Sequence, residues 1–173
     1  FDIRSPLFVL SGGADLTQLP GIGPYNALKL VAEIGLDMHH WPTPKHFVSW
    51  LTLAPNNKIS GGNILSSKTQ PSANRASTIL RLAAMAIGRS DHALGAFYRR
   101  LGARVGKAKA ITATARKLAI LVYLTLRDKL VYSEQSAASY VGSQRKRMLR
   151  GLRKRAKSLG FQLVDTSSGL AMS

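Results

Sequence analysis

The 173-residue sequence contains no cysteine and only eight acidic residues. Without cysteine the chain can form neither a disulfide-stabilised scaffold nor a zinc finger with cysteine ligands. The carboxylates are scattered and the histidines number only four, so no metal site is expected in this chain. The longest apolar run, residues 118–126, is far shorter than the roughly 20 residues of a membrane-spanning helix, and no membrane partner is expected. No signal peptide is visible, so a cytoplasmic location is predicted.

Positive charge dominates the chain, with 25 Lys and Arg and a formal net charge of +17. Residues 1–74 hold five bases and four acids, whereas residues 75–117 hold ten bases and one acid, and residues 133–173 hold eight bases and two acids. Such an excess is self-repulsive until a polyanion neutralises it, which predicts binding to the backbone of nucleic acid. The residues assigned to that binding are basic and lie after residue 74: Arg75, Arg81, Arg99, Arg100, Arg104, Lys107, Lys109, Arg145 and Arg147.

Apolar residues recur at helical spacing over residues 76–87, 94–105, 111–126 and 144–159, and no segment alternates with the period of a strand. These stripes are most simply a core, and an apolar content of 45% is sufficient to build one. Gly160 is expected to end the fourth helix. The sequence therefore predicts an all-α domain with basic C-terminal helices.

Residues 19–24 read LPGIGP and precede an apolar helical stretch over residues 25–34, which is the pattern of a helix-hairpin-helix turn. Two glycines let the backbone approach a DNA phosphate, and the next helix directs its free N–H groups at that anion. Contacts of this kind hold DNA without reading its sequence. We assign nucleic-acid binding to Gly21, Gly23 and Lys29, with a tight turn that has no ligand as the alternative interpretation.

A polar segment rich in glycine and serine covers residues 56–72 and predicts a loop. Within it, Ser60 precedes two glycines, so its hydroxyl is presented with little steric cover, and nearby lysines can stabilise charge on an attacked phosphate. Ser-Gly loops are common, and composition alone favours an ordinary loop over a catalytic one. The candidate residues of this loop are Lys58, Ser60, Gly61, Gly62 and Lys68.

Several segments in order resemble the C-terminal transposase domain of the insertion-sequence-110 family, also called DEDD transposases or bridge-RNA-guided recombinases, with Piv-type DNA invertases as relatives. They are LPGIGPYNALKLVAEIGLDMHHWPTPKHFVSWLTLAPNNKISGGNILSS, then SANRASTILRLAAMAIGRSDHALGAFYRRLGARVGKAKAITATARKLAILVYLTLRDKLVY, and more weakly LGFQLV. The resemblance covers residues 16–164 and is more specific than any single motif.

The resemblance implies a division of the chain. Residues 1–15 would be a linker from an N-terminal RuvC-like domain that lies outside this sequence, in keeping with a chain that begins at Phe1. The transposase domain, residues 16–164, would consist of a helix-hairpin-helix part (16–57), a catalytic loop (58–72) and a basic helical part (73–164). Residues 165–173 would be a flexible tail.

The resemblance also implies a chemistry. Ser60 would be the catalytic serine, which attacks a DNA phosphodiester and forms a phosphoserine link, so that strands are exchanged and resealed without ATP. Mg²⁺ is expected in the RuvC-like domain and no cofactor in this chain. The implied partners are transposon-end and target DNA, a bridge-type guide RNA and further protomers on the DNA.

One residue departs from the family pattern. Thr52 stands where the family often has glycine, and we expect this change to alter local packing only. Two competing hypotheses remain at this point. A non-catalytic helix-hairpin-helix module that binds DNA or RNA backbone explains the charge equally well, and a basic structural protein of the ribosomal type explains it less well.

Overall fold

A computed structural model describes residues 1–71, 73–133 and 135–164. Its helices are α1 (Arg4–Leu10), α2 (Pro24–Ile34), α3 (Pro44–Trp50), α4 (Arg75–Ile87), α5 (Ala93–Val105), α6 (Lys107–Asp128) and α7 (Ala137–Ser158). Two short 3₁₀ helices cover Leu16–Gln18 and Met38–His40, and the strands β1 (Lys58–Ser60) and β2 (Asn63–Ser66) form a hairpin. The predicted flexible tail, residues 165–173, lies outside the described residues.

The mostly helical architecture is confirmed, but the all-α prediction is wrong in one respect, because a two-stranded sheet interrupts the helices. Its strands are three and four residues long and almost entirely exposed, so they are too short for a period-two pattern to identify them. The last helix also begins seven residues earlier than predicted. The Ser136 hydroxyl accepts a hydrogen bond from the Ser139 amide and caps the helix there.

Gly160 lies just beyond the end of α7, as predicted. It has a φ of 79°, its amide donates to the Lys157 carbonyl, and the Phe161 amide donates to the Ala156 carbonyl at 2.8 Å. This pair of bonds is the Schellman arrangement, which satisfies carbonyls that the helix leaves unpaired.

Helix α6 is the centre of the fold and packs against α3, α4 and α5. The predicted stripe is confirmed, since Ala115, Leu118, Val122 and Leu126 are all buried. Gly106, with a φ of 90°, both ends α5 and begins α6, so these two helices are joined by a single residue and lie side by side. Helix α7 packs against α5 on the outside.

An aromatic cluster joins α6 to the N-terminal half of the chain. Tyr123 is buried, and its hydroxyl donates to the Trp41 carbonyl at 2.7 Å. The Phe47 ring packs between Tyr123 and Trp50, with ring centroids 5.7 and 6.1 Å away. One core therefore unites the near-neutral N-terminal half with the basic helices. Leu7 of α1 also belongs to it, so the segment assigned to a linker contributes to the core.

The LPGIGP turn packs against α4. Gly21 has a φ of 76°, and a Cβ built there would lie 2.9 Å from the Ala83 carbonyl oxygen and 2.9 Å from Ile87 Cγ1. Gly23 is open, and Pro24 occupies the first helical position, as predicted. The element before the turn is a three-residue 3₁₀ helix, so only the second helix of the predicted helix-hairpin-helix is an α-helix.

Thr52 lies in the left-handed region with a φ of 55°. Its amide donates to the Ser49 carbonyl at 2.9 Å and its hydroxyl to the Leu51 carbonyl at 2.6 Å, which holds the turn after α3. A residue with a Cβ pays about 1–2 kcal/mol for this conformation and glycine does not. The expectation that Thr52 alters packing alone is therefore corrected, since the position constrains the backbone.

We predict that Gly21→Ser lowers the free energy of unfolding by about 2 kcal/mol, because the new side chain combines a left-handed φ with overlap against α4. Gly23→Ser is the matched control, since that position is open, has a φ of −78° and suits a capping serine. Urea denaturation of both variants checks this. Equal midpoints would contradict the packing role of Gly21.

We predict that Thr52→Gly raises the free energy of unfolding by at most about 1 kcal/mol, because the relief of strain exceeds the combined loss from the hydroxyl bond to Leu51 and from the added flexibility of the unfolded chain. Thr52→Ser keeps a hydroxyl and a Cβ, and should leave stability nearly unchanged. The same urea titrations measure both. A less stable glycine variant would show that the left-handed conformation carries no strain.

Candidate nucleic-acid interface and serine hairpin

The predicted catalytic loop is a β-hairpin with a two-residue turn. We call this hairpin, formed by β1 and β2 over residues 58–66, the serine hairpin. Ser60 pairs with Asn63 across the turn, and Gly61 and Gly62 occupy its corners with φ values of 54° and 80°. Two successive positive φ angles define a type I′ turn, whose twist matches that of the flanking strands. A Gly-Gly pair between Ile59 and Ile64 is a hairpin signal that sequence reasoning missed.

The hairpin presents Ser60 to solvent. The side chain is exposed, and in the described part of the chain its hydroxyl makes no hydrogen bond. Lys58 lies two residues earlier on β1, and the alternation of side chains along a strand places it on the face of Ser60. The unpaired Leu65 forms a bulge in β2, and the Asn56 amide donates to the Lys68 carbonyl at 3.1 Å, which closes the base of the hairpin.

A cleft of about 770 Å³ separates β2 and the loop after it from α6. Three cations line it, Lys68, Lys109 and Arg116, and no carboxylate of the described residues does. Hydroxyl groups complete the polar lining: Ser66, Ser67, Thr69 and Thr112. Cations and hydrogen-bond donors without acids suit a phosphodiester backbone.

One face of α6 supplies the far wall of this cleft. Lys109, Thr112 and Arg116 lie three and four residues apart, so they project from the same side of the helix. Sequence reasoning assigned only Lys109 to binding and missed the other two. Their spacing from Lys109 is the signal that could have identified them.

Some predicted binding residues have structural partners. Arg75 pairs with Glu33 at 3.3 Å and so joins α4 to α2. Arg99 donates to the carbonyls of Gly88 and Ser90 at 3.1 and 2.8 Å, which stabilises the turn after α4. Both side chains therefore have protein partners, although the Arg75 side chain is still 82% exposed.

The other predicted residues are spread over several surfaces. The Lys29 amine lies 4.3 Å from the centre of the Tyr25 ring. Lys107 lines a second cleft, of about 610 Å³, beside Arg89 and Tyr98. Three more of the predicted residues lie exposed or partly exposed on the helices: Arg81, Arg104 and Arg145. Arg100 and Arg147 lie on the packed helices α5 and α7, near enough for their charges to act on Lys117, which sequence reasoning missed.

Across the described residues, no group of three or more His, Asp or Glu side chains is placed to hold a metal ion. The nearest approach to a cluster is Asp37, whose carboxylate accepts from the His39 backbone amide and ring, at 2.9 and 2.7 Å, and lies 3.4 Å from His40. The bonds from His39 hold the pKa of Asp37 below its usual range. A single exposed carboxylate does not fit magnesium, which prefers several oxygen ligands.

None of the described helices combines the length and the apolar character needed to cross a bilayer.

Two comparisons with known proteins identify the relatives of this chain. Residues 13–99 match a family model described as "Transposase IS116/IS110/IS902 family". The chain is also 32% identical over 126 residues to the "Insertion element IS110 uncharacterized 43.6 kDa protein" of Streptomyces coelicolor. That alignment covers 71% of this chain and 31% of the relative, so the chain spans about a third of the relative's length.

We predict that Gly61→Asn preserves the hairpin, since asparagine adopts positive φ at small cost, whereas Gly61→Val disrupts it. Neither position is crowded, so the difference arises from the backbone alone. NMR cross-peaks between Ile59 of β1 and Ile64 of β2 measure hairpin formation. Retention of these cross-peaks in Gly61→Val would contradict the type I′ assignment.

Proposed function

Because this chain belongs to the IS116/IS110/IS902 transposase family, we propose that it is the part of a transposase that binds DNA and supplies Ser60 as the nucleophile for strand cleavage and exchange. The observation that carries the proposal is the Ser60 hydroxyl, free in the described part of the chain, on an exposed hairpin beside a cleft of cations.

The proposed chemistry is a transesterification. Ser60 Oγ attacks the phosphorus of a DNA phosphodiester, a phosphoserine ester forms, and the broken P–O bond leaves a sugar hydroxyl. Attack by another sugar hydroxyl on that ester then releases the serine and reseals the strand. Lys58 shares the strand face of Ser60 and stabilises the negative charge that develops on the phosphoryl oxygens.

A serine hydroxyl is a weak nucleophile and needs a base. In the part of the chain that the structure describes, no side chain accepts a hydrogen bond from Ser60 Oγ. We propose that the base belongs to the upstream RuvC-like domain of the same or another protomer, where Mg²⁺ is also expected. No step is assigned to a metal on this chain.

The cleft beside the hairpin is the proposed path of the cleaved strand. Lys68, Lys109 and Arg116 contact its phosphates and hold it within reach of Ser60. The basic helices α5 to α7 hold further DNA or the guide RNA. Assembly of several protomers on DNA in the cytoplasm belongs to the same proposal. Binding through phosphates predicts strong weakening by salt.

A second candidate function is backbone binding without catalysis. The observation that favours it is the absence of a base against Ser60 among the described residues. A pure binder forms complexes with DNA that salt reverses, whereas a transposase of the proposed kind leaves a covalent adduct. The adduct therefore separates the two functions.

We predict that Ser60→Ala in the full-length transposase removes the covalent DNA adduct and lowers recombination by about 10³-fold or more, because no other group replaces the nucleophile. DNA affinity should change less than twofold. Adducts are measured as labelled DNA that stays with the protein in detergent, and recombination is measured on a plasmid carrying the target.

Ser67→Ala is the matched control, since Ser67 is also exposed and lines the cleft. It should retain both the adduct and recombination. An adduct that persists in Ser60→Ala and disappears in Ser67→Ala would move the nucleophile to Ser67 and reject the proposal as stated.

A further inference from the structure

Three cations lie near one another where α5 packs against both α6 and α7, and aromatic rings position two of them. The Lys117 amine lies 4.2 Å from the centre of the Phe97 ring. The Arg100 guanidinium carbon lies 5.8 Å from the centre of the Tyr140 ring, and Nε donates to its hydroxyl at 3.1 Å. The Phe97 and Tyr140 rings meet edge to face at 6.4 Å. Arg147 of α7 is the third cation.

The positive charges in this group act on each other. Partial burial against Phe97 lowers the pKa of Lys117, and the charges of Arg100 and Arg147 lower it further. No carboxylate among the described residues forms an ion pair with any of the three cations. All three side chains are nevertheless exposed to solvent, so an anion can reach them.

This arrangement is unfavourable in the free protein and favourable around an anion. Like charges held together without a counter-charge repel. A phosphate accepts several hydrogen bonds, and guanidinium and ammonium groups bind it through shorter, charge-assisted bonds. The cation–π contacts fix Arg100 and Lys117 in advance, which reduces the entropy lost when a ligand binds.

We propose that Arg100, Lys117 and Arg147 form a binding site for a backbone phosphate of nucleic acid, separate from the cleft beside the serine hairpin. Successive residues of a helix are rotated by about 100°. Arg116 lines the cleft, and Lys117 therefore projects from a different side of α6. Helix α6 thus contacts two segments of nucleic acid, one on each side. This inference rests on the proposed function, since it requires that the chain binds nucleic acid.

The first test measures affinity against salt concentration for duplex DNA and for RNA of matched sequence. The variants Arg100→Gln, Lys117→Gln and Arg147→Gln each remove one positive charge from the site. On whichever of the two nucleic acids supplies the phosphate, each should weaken binding about tenfold and reduce the slope of log K against log salt by about one. Lys45→Gln is the matched control, because Lys45 is exposed on α3 and the charge change is the same. It should change neither value.

The second test uses pH. The charged groups that act on Lys117 are Arg100 from α5 and Arg147 from α7, and the Tyr140 hydroxyl of α7 lies against Arg100. Since its pKa is lowered, Lys117 loses its charge at a lower pH than an ordinary lysine, and binding should weaken as pH rises through that value. Lys117→Arg keeps the charge and should bind as tightly as the wild type at neutral pH with less alkaline loss. Because the wild type and Lys117→Arg are compared on the same nucleic acid, the titration of the nucleobases affects both proteins equally.

The outcomes of these tests distinguish failure of the proposed function from failure of the phosphate site. If the wild-type chain binds neither DNA nor RNA, both the proposed function and this site fail. If it binds and the three glutamine variants behave like Lys45→Gln, the site is overturned and the proposed function stands. Loss confined to one nucleic acid supports the site and identifies the source of the phosphate.

Stability provides a control for folding. Removal of a repelled charge should leave the melting temperature of Lys117→Gln equal to or above that of the wild type. If the variant unfolds, the Lys117→Arg pH profile still tests the site, and an unchanged alkaline loss in that variant overturns it.

Discussion

Burial of helix α6 is the constraint on which the rest of this molecule depends. Its apolar stripe packs against α3 and α4, and Tyr123 ties it to the Trp41 carbonyl. Burial of this stripe removes apolar surface from water and provides the main stabilisation of a chain whose net charge opposes compaction. With that stripe fixed, the directions of the other α6 side chains are fixed as well. Arg116 is held toward the serine hairpin and Lys117 toward α5 and α7.

The helical part of the fold was predictable because its signal is local. Apolar residues such as Leu118 and Val122 recur at the period of a helix, and this recurrence indicates which face of the helix is buried. The hairpin left no such signal, since Ile59 and Ile64 are exposed and its strands are too short to alternate. The Gly-Gly turn was the available clue. It was interpreted as part of a loop that leaves Ser60 with little steric cover, whereas in the structure it sets a defined backbone conformation.

The candidate site was predictable only in part, for a related reason. Ser60 and its neighbours are adjacent in sequence, so a resemblance could identify them together. The group of Arg100, Lys117 and Arg147 comes from three helices, and no sequence spacing predicts that they meet. Charge counting also treated all bases alike. Arg75 and Arg99 contact protein groups, and the sequence alone does not distinguish a basic residue that has a protein partner from one that has none.

The exposed hairpin also has unpaired strand edges, which are surfaces on which strands of other molecules can add. Within the described ranges β1 and β2 pair only with each other, so each strand has an outer edge of backbone groups available to another strand. Ile59, Ile64 and Leu65 are 63%, 62% and 71% exposed, so these edges carry apolar surface that favours association with another strand. Short strands, the bulge at Leu65 and the flanking lysines limit strand addition. The net charge of +17 also drives free copies apart, and a polyanion that neutralises this charge removes that barrier to self-association.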